Sequence, residues 1–149
     1  LNDKAVARAD AKKGEVVFER TCGSCHRMYG KGGSIAPDLT GSNRGNLDYL
    51  LFNVLNPSGE IQDDYKLVVI TTRDGRTYSG NIASENERQI RLRVVGQDDV
   101  VLTKASIQSR EVMPTSLMPI GLFDSLTENE VLDLVRYLRT TEDVTQVKR

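Results

Sequence analysis

The chain has 149 residues, 38% of them hydrophobic and 28% charged, with a formal net charge of -1. That is one ordinary domain, or a small domain carrying an insertion, with enough apolar matter for a core. The charge balance argues against a general nucleic-acid or anionic-membrane binder, and no apolar run approaches the roughly 18 residues that a membrane-crossing helix needs. The sequence starts at Leu1 with no initiator Met and no signal segment, which reads as a mature protein or an excised domain.

Residues 1–10 are polar and helix-permissive, a linker or an extra helical turn. Asp10 predicts the N-cap of a helix over about Ala11–Arg20, with Gly14, Val17 and Phe18 on one side. A glycine inside a helix costs propensity. Close approach of a second helix would justify Gly14; an ordinary tolerated glycine would look the same.

The pentapeptide Cys22-Gly23-Ser24-Cys25-His26 follows, holding both cysteines and the only histidine of the chain. Two thiols three residues apart lie on the same side of a helical turn. There they can add to the two vinyl groups of one haem, while the adjacent histidine turns toward the iron. The spacing is that of a c-type haem attachment site. Three other readings compete. A structural zinc site wants four ligands, and this stretch offers three. A thioredoxin-like pair would follow a strand in a βαβ unit, and no such pattern surrounds it. A disulfide between Cys22 and Cys25 would close only a tiny loop. A haem disc would also compensate for a chain with 5% aromatic residues and no Trp. Attachment of haem to cysteine is a periplasmic or equivalent event, so an exported protein is implied.

Residues 29–46 are rich in Gly, Ser and Asn and read as loop. A proximal histidine needs its second ring nitrogen satisfied. The carbonyl of Pro37, in Ala36-Pro37-Asp38-Leu39, is the natural partner for His26; ordinary loop punctuation is the alternative. Asn46 then predicts the cap of a helix with apolar positions Leu47, Leu50, Leu51, Val54 and Leu55, ended by Asn56-Pro57-Ser58-Gly59.

From about Tyr65 the texture turns to strand. Lys66–Thr72 and Arg76–Ala83 flank the hairpin signal Asp74-Gly75. Gln89–Val94 alternates at period two with one basic face, and Val100–Thr103 is a further short strand. Four strands in a meander predict a twisted sheet or small open barrel. Its spacing faintly resembles Sm-like or SH3-like barrels, and RNA binding is not carried over from that. Thr127 and Glu130 form a capping box for a last helix over about Glu128–Thr140, striped by Val131, Leu134, Val135 and Leu138. Residues 142–149 read as frayed.

The candidates for the sixth position are Met28, Met113, Met118, a lysine or nothing: Met113 and Met118 lie in the loop before that helix, where either thioether can swing over the ring, and Met28, two residues past His26, is poorly placed to reach the opposite face. Position favours Met118, then an open or otherwise filled sixth site, then Met113. No second histidine and no distal acid/base pair accompany them, so peroxidase or oxygen-activating chemistry lacks its helpers.

The order Gly14…Phe18, Cys22-x-x-Cys25-His26, Pro37-Asp38-Leu39, Met118-Pro119 and Val135-Arg136-Tyr137-Leu138 resembles the monohaem cytochrome c fold. More narrowly, the strings APDLTGSNR, LLFNVLNPSGEI, DGRTYSGNI and SLMPIGLFDSLTENEVLDLVRYL are similar to the haem-binding domain of Planctomycetes and Verrucomicrobia. That domain often forms a C-terminal module of large exported dehydrogenase-like proteins. The resemblance implies haem c bound by Cys22 and Cys25, with His26 and Met118 on the iron.

The resulting expectation is a mainly α fold. Residues 1–60 and 113–149 build a cytochrome c helical core, with a small antiparallel β insertion over 61–112. Its terminal helices cross near Gly14, Phe18, Val135 and Leu138. The function expected is single-electron carriage from a fused dehydrogenase domain or a partner protein, without catalysis, in the periplasm. The alternatives are a gas-binding or sensing haem domain with a labile sixth ligand, and a docking role for the β segment. Oligomeric state is left open.

Overall fold

Asp10 caps the helix that follows it: its side chain accepts from the backbone N–H groups of Lys12 and Lys13 at 2.9 and 3.2 Å. In the computed structural model, which describes residues 1–143, this helix is the second of four α-helices. They are α1 (Asp3–Ala7), α2 (Ala11–Thr21), α3 (Leu47–Leu55) and α4 (Glu128–Leu138). Residues 1–10 are thus an extra helical turn, capped by Asn2 and anchored by the buried Val6. The Thr127–Glu130 capping box is present on α4, and Asn46 caps α3. The fraying expected from residue 142 falls, from 144 on, outside the described residues.

Helices α2 and α4 cross at Gly14. A Cβ there would sit 1.9 Å from the Asp133 carbonyl oxygen and 2.8 Å from Tyr137 Cβ. Gly14 is therefore required by the approach of two backbones, and one turn on the Phe18 and Tyr137 rings meet with centroids 5.4 Å apart. Val17, Phe18, Met28, Leu50, Leu134, Tyr137 and Leu138 form the helical core.

Arg44 closes the far end of α4. It is 8% exposed, and its Nη1 donates to the carbonyls of Leu138 and Thr140, both at 2.7 Å. The guanidinium also donates to the Thr40 carbonyl and lies 5.5 Å from the Tyr29 ring centroid. The Tyr29 hydroxyl donates to Thr140 O at 2.8 Å. A buried cation is tolerable here because it faces the negative end of a helix whose last carbonyls need donors.

Between α3 and α4 lies a five-stranded antiparallel sheet. Its strands, after a two-residue pair β1 (Arg27–Met28) and β2 (Lys31–Gly32), are β3 (Val68–Thr72), β4 (Thr77–Glu85), β5 (Gln89–Arg93), β6 (Val100–Thr103) and β7 (Ile107–Val112). The order is β6-β5-β4-β3-β7. The expected hairpin turns at Gly75, where φ is 87°. Alternation in β5 holds: Ile90 and Leu92 are buried, and Arg91 faces out. With Val68, Ile70 and Leu102 they form a second core, distinct from that of the helices.

The expectation of a mainly α fold is overturned. The described residues are 32% helix and 23% strand. Two physical reasons account for the error. The helices are short, and the long loop between Met28 and Asn46 adds no helix. The sheet also has a strand more than the four expected. Ile107–Val112 carries apolar residues only at its ends, so its sequence gives no alternation signal. Backbone pairing to β3, from Val68 opposite Val112 to Thr72 opposite Ile107, makes it a strand.

A charge cluster pins β7 across the sheet. Glu85 on β4 accepts from both Nη groups of Arg110 at 2.9 and 3.0 Å, and Lys104 Nζ lies 2.8 Å from it. The Arg110 fork foremost, then Lys104, pull the Glu85 carboxyl from 4.5 down to about 2. A lowered folded-state value stabilises above the unfolded one and is lost as pH falls from 4.5 toward 2. The carboxyl is largely exposed, so screening limits the contribution to about 1 kcal/mol. Glu85→Gln is expected to lower stability by that amount at neutral pH, with the gap to the unsubstituted chain closing through this acid window. Identical urea midpoints at neutral pH would show that the cluster contributes nothing.

Candidate functional site

The Cys22–His26 motif continues α2 as a chain of tight turns. Cys22 and Gly23 N–H both donate to the Phe18 carbonyl, at 2.7 and 2.8 Å; Cys25 and His26 N–H both donate to Cys22 O, at 3.1 and 2.9 Å. The turn thereby carries Cys22, Cys25 and His26 as a single rigid unit. Both thiols are free and half-buried.

The following loop is stapled alongside. Gly33 N–H donates to Gly23 O at 2.9 Å, Ala36 N–H to Cys25 O at 3.0 Å, and Leu39 N–H to Arg27 O at 2.8 Å. The close fit needs glycine: a Cβ at Gly33 would meet Ser24 O at 2.0 Å, and one at Gly32 would meet His26 O at 2.2 Å. Asp38 fixes the next corner by accepting from Thr40 N–H and Oγ1 at 2.9 and 2.7 Å, and these bonds hold its carboxyl below the usual range. Pro37 is thus held beneath the imidazole, with its carbonyl 2.8 Å from His26 Nδ1.

That contact fixes the tautomer. A carbonyl can only accept, so Nδ1 carries the proton and Nε2 keeps its lone pair for a metal. Burial pushes the imidazole pKa down, with the Pro37 bond opposing, so the ring is neutral, as a ligand must be.

The thiol chemistry separates the competing readings. Burial, then the neighbouring Cys25, pushes the Cys22 thiol up to about 12. A dithiol redox motif has the opposite signature, a thiolate stabilised near neutral pH. Among the described residues no group of three or more His, Cys, Asp or Glu is placed to hold a metal ion, so a zinc centre lacks its ligand set. A haem asks for something else: two thiols on one turn, one neutral imidazole and apolar cover. The cover is in short supply without it. On α3 only Leu50 is buried, Leu55 is 61% exposed, and Ile120, two residues past Met118, is 80% exposed. Such apolar surface is what a flat macrocycle would cover. The residues present fit the group.

Of the methionines, Met28 is 1% exposed in the helical core. Met113 is tied by its N–H to Leu67 O at 2.8 Å. Met118 is half-buried in the loop before α4, where its N–H donates to Ser116 Oγ at 3.1 Å and Ser116 N–H donates to Ser58 Oγ at 3.0 Å. Sequence reasoning missed three contributors: Gly32 and Gly33, which admit the loop, and Asn81 of β4, which donates to the Ile35 carbonyl. Nothing in a lone strand asparagine signals that reach.

A stapled turn that pairs two thiols with a neutral, oriented imidazole defines a protein built to hold one haem covalently. The chain belongs to the cytochrome c family: the family model described as Cytochrome c matches residues 11–142, from α2 through the sheet to beyond α4. No curated protein matches the chain. Membership brings covalently bound haem c with its iron, and with it an electron-carrying role among redox partners. Domains of this family are typically exported, and no helix among the described residues is long and apolar enough to cross a membrane.

Proposed function

We propose that the chain carries single electrons in the periplasm, from a fused dehydrogenase domain or a partner protein to a downstream acceptor. Cys22 and Cys25 would tether the haem, and His26 and Met118 would ligate its iron. The haem supplies a one-electron couple. The protein's part is to hold His26 neutral and oriented, and to keep the ring in apolar surroundings. The observation that carries this reading is the His26 Nδ1 contact to Pro37 O at 2.8 Å, which leaves Nε2 for the iron. In the same reading residues 1–60 and 113–149 are the cytochrome core and 61–112 an insertion. The narrower likeness to the Planctomycetes and Verrucomicrobia haem-binding domain rests on the strings quoted above.

Ligation by histidine and methionine raises the potential and keeps iron low-spin. Ferric protein is therefore expected to show the long-wavelength sulfur-to-iron charge-transfer band, and Met118→Ala to abolish it and open the reduced iron to carbon monoxide. If unsubstituted reduced protein binds carbon monoxide at once, the sixth site is open and the gas-binding role replaces electron carriage. If only Met113→Ala removes the band, the assignment of Met118 is wrong.

A further inference from the structure

Asn81 is 1% exposed, the one polar residue among the largest fully buried side chains described. Burying an amide is costly in lost hydration unless both its ends find partners. Both do. Nδ2 donates to the Ile35 carbonyl, and Oδ1 accepts from Arg93 Nη1 at 2.7 Å. Arg93 stands opposite Asn81 across the β4–β5 pair, and its guanidinium lies 5.4 Å from the Tyr65 ring centroid. The sheet thus offers a braced donor to one carbonyl.

That carbonyl belongs to the haem loop. Ile35 is 6% exposed and stands two residues before Pro37, and Ala36 between them is bonded to Cys25 O at 3.0 Å. The Asn81 bond therefore holds the loop from the sheet side while the Ala36 bond holds it from the motif side. An apolar residue would fill the space without the desolvation cost, so the amide is placed for its donor.

We infer that Asn81 is a positioning residue: through Ile35 it fixes where the Pro37 carbonyl stands against His26, and so lets the β-sheet set the orientation and basicity of the imidazole on the iron. The inference rests on His26 being the proximal ligand. It gives the β segment a role in tuning the cofactor, which a solvated decoration would not have.

The test uses haem-loaded protein. Asn81→Asp keeps the shape and the acceptor for Arg93 but turns a carboxylate oxygen toward Ile35 O, breaking the loop side alone. Arg93→Met breaks the other side alone. The readouts are the hyperfine-shifted haem methyl resonances of the ferric protein and the equilibrium constant for reduction by a carrier of fixed potential. Asn81→Asp is expected to move the methyl pattern and to change that constant about threefold, less than the roughly tenfold or greater losses seen when a ligand's own hydrogen-bond partner is removed. Arg93→Met is expected to lower the thermal midpoint with a smaller change in both. Should Asn81→Asp fail to fold, Asn81→Ser removes the same bond without adding charge and gives the same readings. A lowered midpoint with methyl pattern and constant unchanged in either Asn81 variant overturns the inference. His26→Ala separates the two levels: an unaltered haem spectrum there sinks the ligand assignment itself.

Discussion

Replacing Gly14 with alanine is expected to lower the thermal midpoint by about 10 °C, a loss of about 3 kcal/mol in a chain of this length. Two effects oppose each other. Alanine is the better helix former, by up to about 1 kcal/mol, and on that ground alone the substitution should stabilise α2. Against this, the new methyl group would lie 1.9 Å from the Asp133 carbonyl oxygen, 2.5 Å from its carbon and 2.8 Å from Tyr137 Cβ. None of these is the movable end of a side chain. The helices must separate, and with them the Phe18–Tyr137 contact and the core around Met28 and Leu50. Overpacking at a backbone crossing outweighs the propensity gain. A midpoint that stays or rises would show that α2 and α4 do not meet in this way.

Replacing Cys22 and Cys25 together with serine is expected to abolish covalent attachment altogether. Pigment retained by the double variant should pass into acidified organic solvent, whereas that of the unsubstituted protein should stay on the chain. Each single variant keeps one thioether and one free vinyl group, and its reduced pyridine adduct should absorb at longer wavelength for that reason. The double variant should also be less stable. Leu55 and Ile120 are apolar and exposed in the chain itself, and an untethered haem would cover apolar surface less completely than a bonded one. Attached haem remaining in the double variant would mean that another residue forms the link.

The helices and the attachment turn could be read from residues alone because their signals are local. Asp10, Asn46 and the Thr127–Glu130 box mark helix starts by bonds to amides two or three residues on, and each forms as expected. The contact between His26 and Pro37 was legible for a similar reason, the two being separated by one short loop. What escaped is set by contacts between distant segments. Strand β7 exists through backbone pairing with β3, about 40 residues earlier in the chain, and has no alternation of its own. Its omission, with the shortness of the helices, is why a mainly α fold was expected. Arg44 looks like a loop cation in sequence, and only the fold brings it to the carbonyls at the end of α4. Asn81 is equally silent until β4 packs against the haem loop.

The central claim is one haem bonded through sulfur at Cys22 and Cys25. The most direct measurement is the intact mass, under denaturing acid, of protein matured in a host competent for cytochrome c assembly. The account predicts a single species heavier than the polypeptide by one haem. A species at the bare polypeptide mass, or lighter than it by the two hydrogens of a Cys22–Cys25 disulfide, would contradict it.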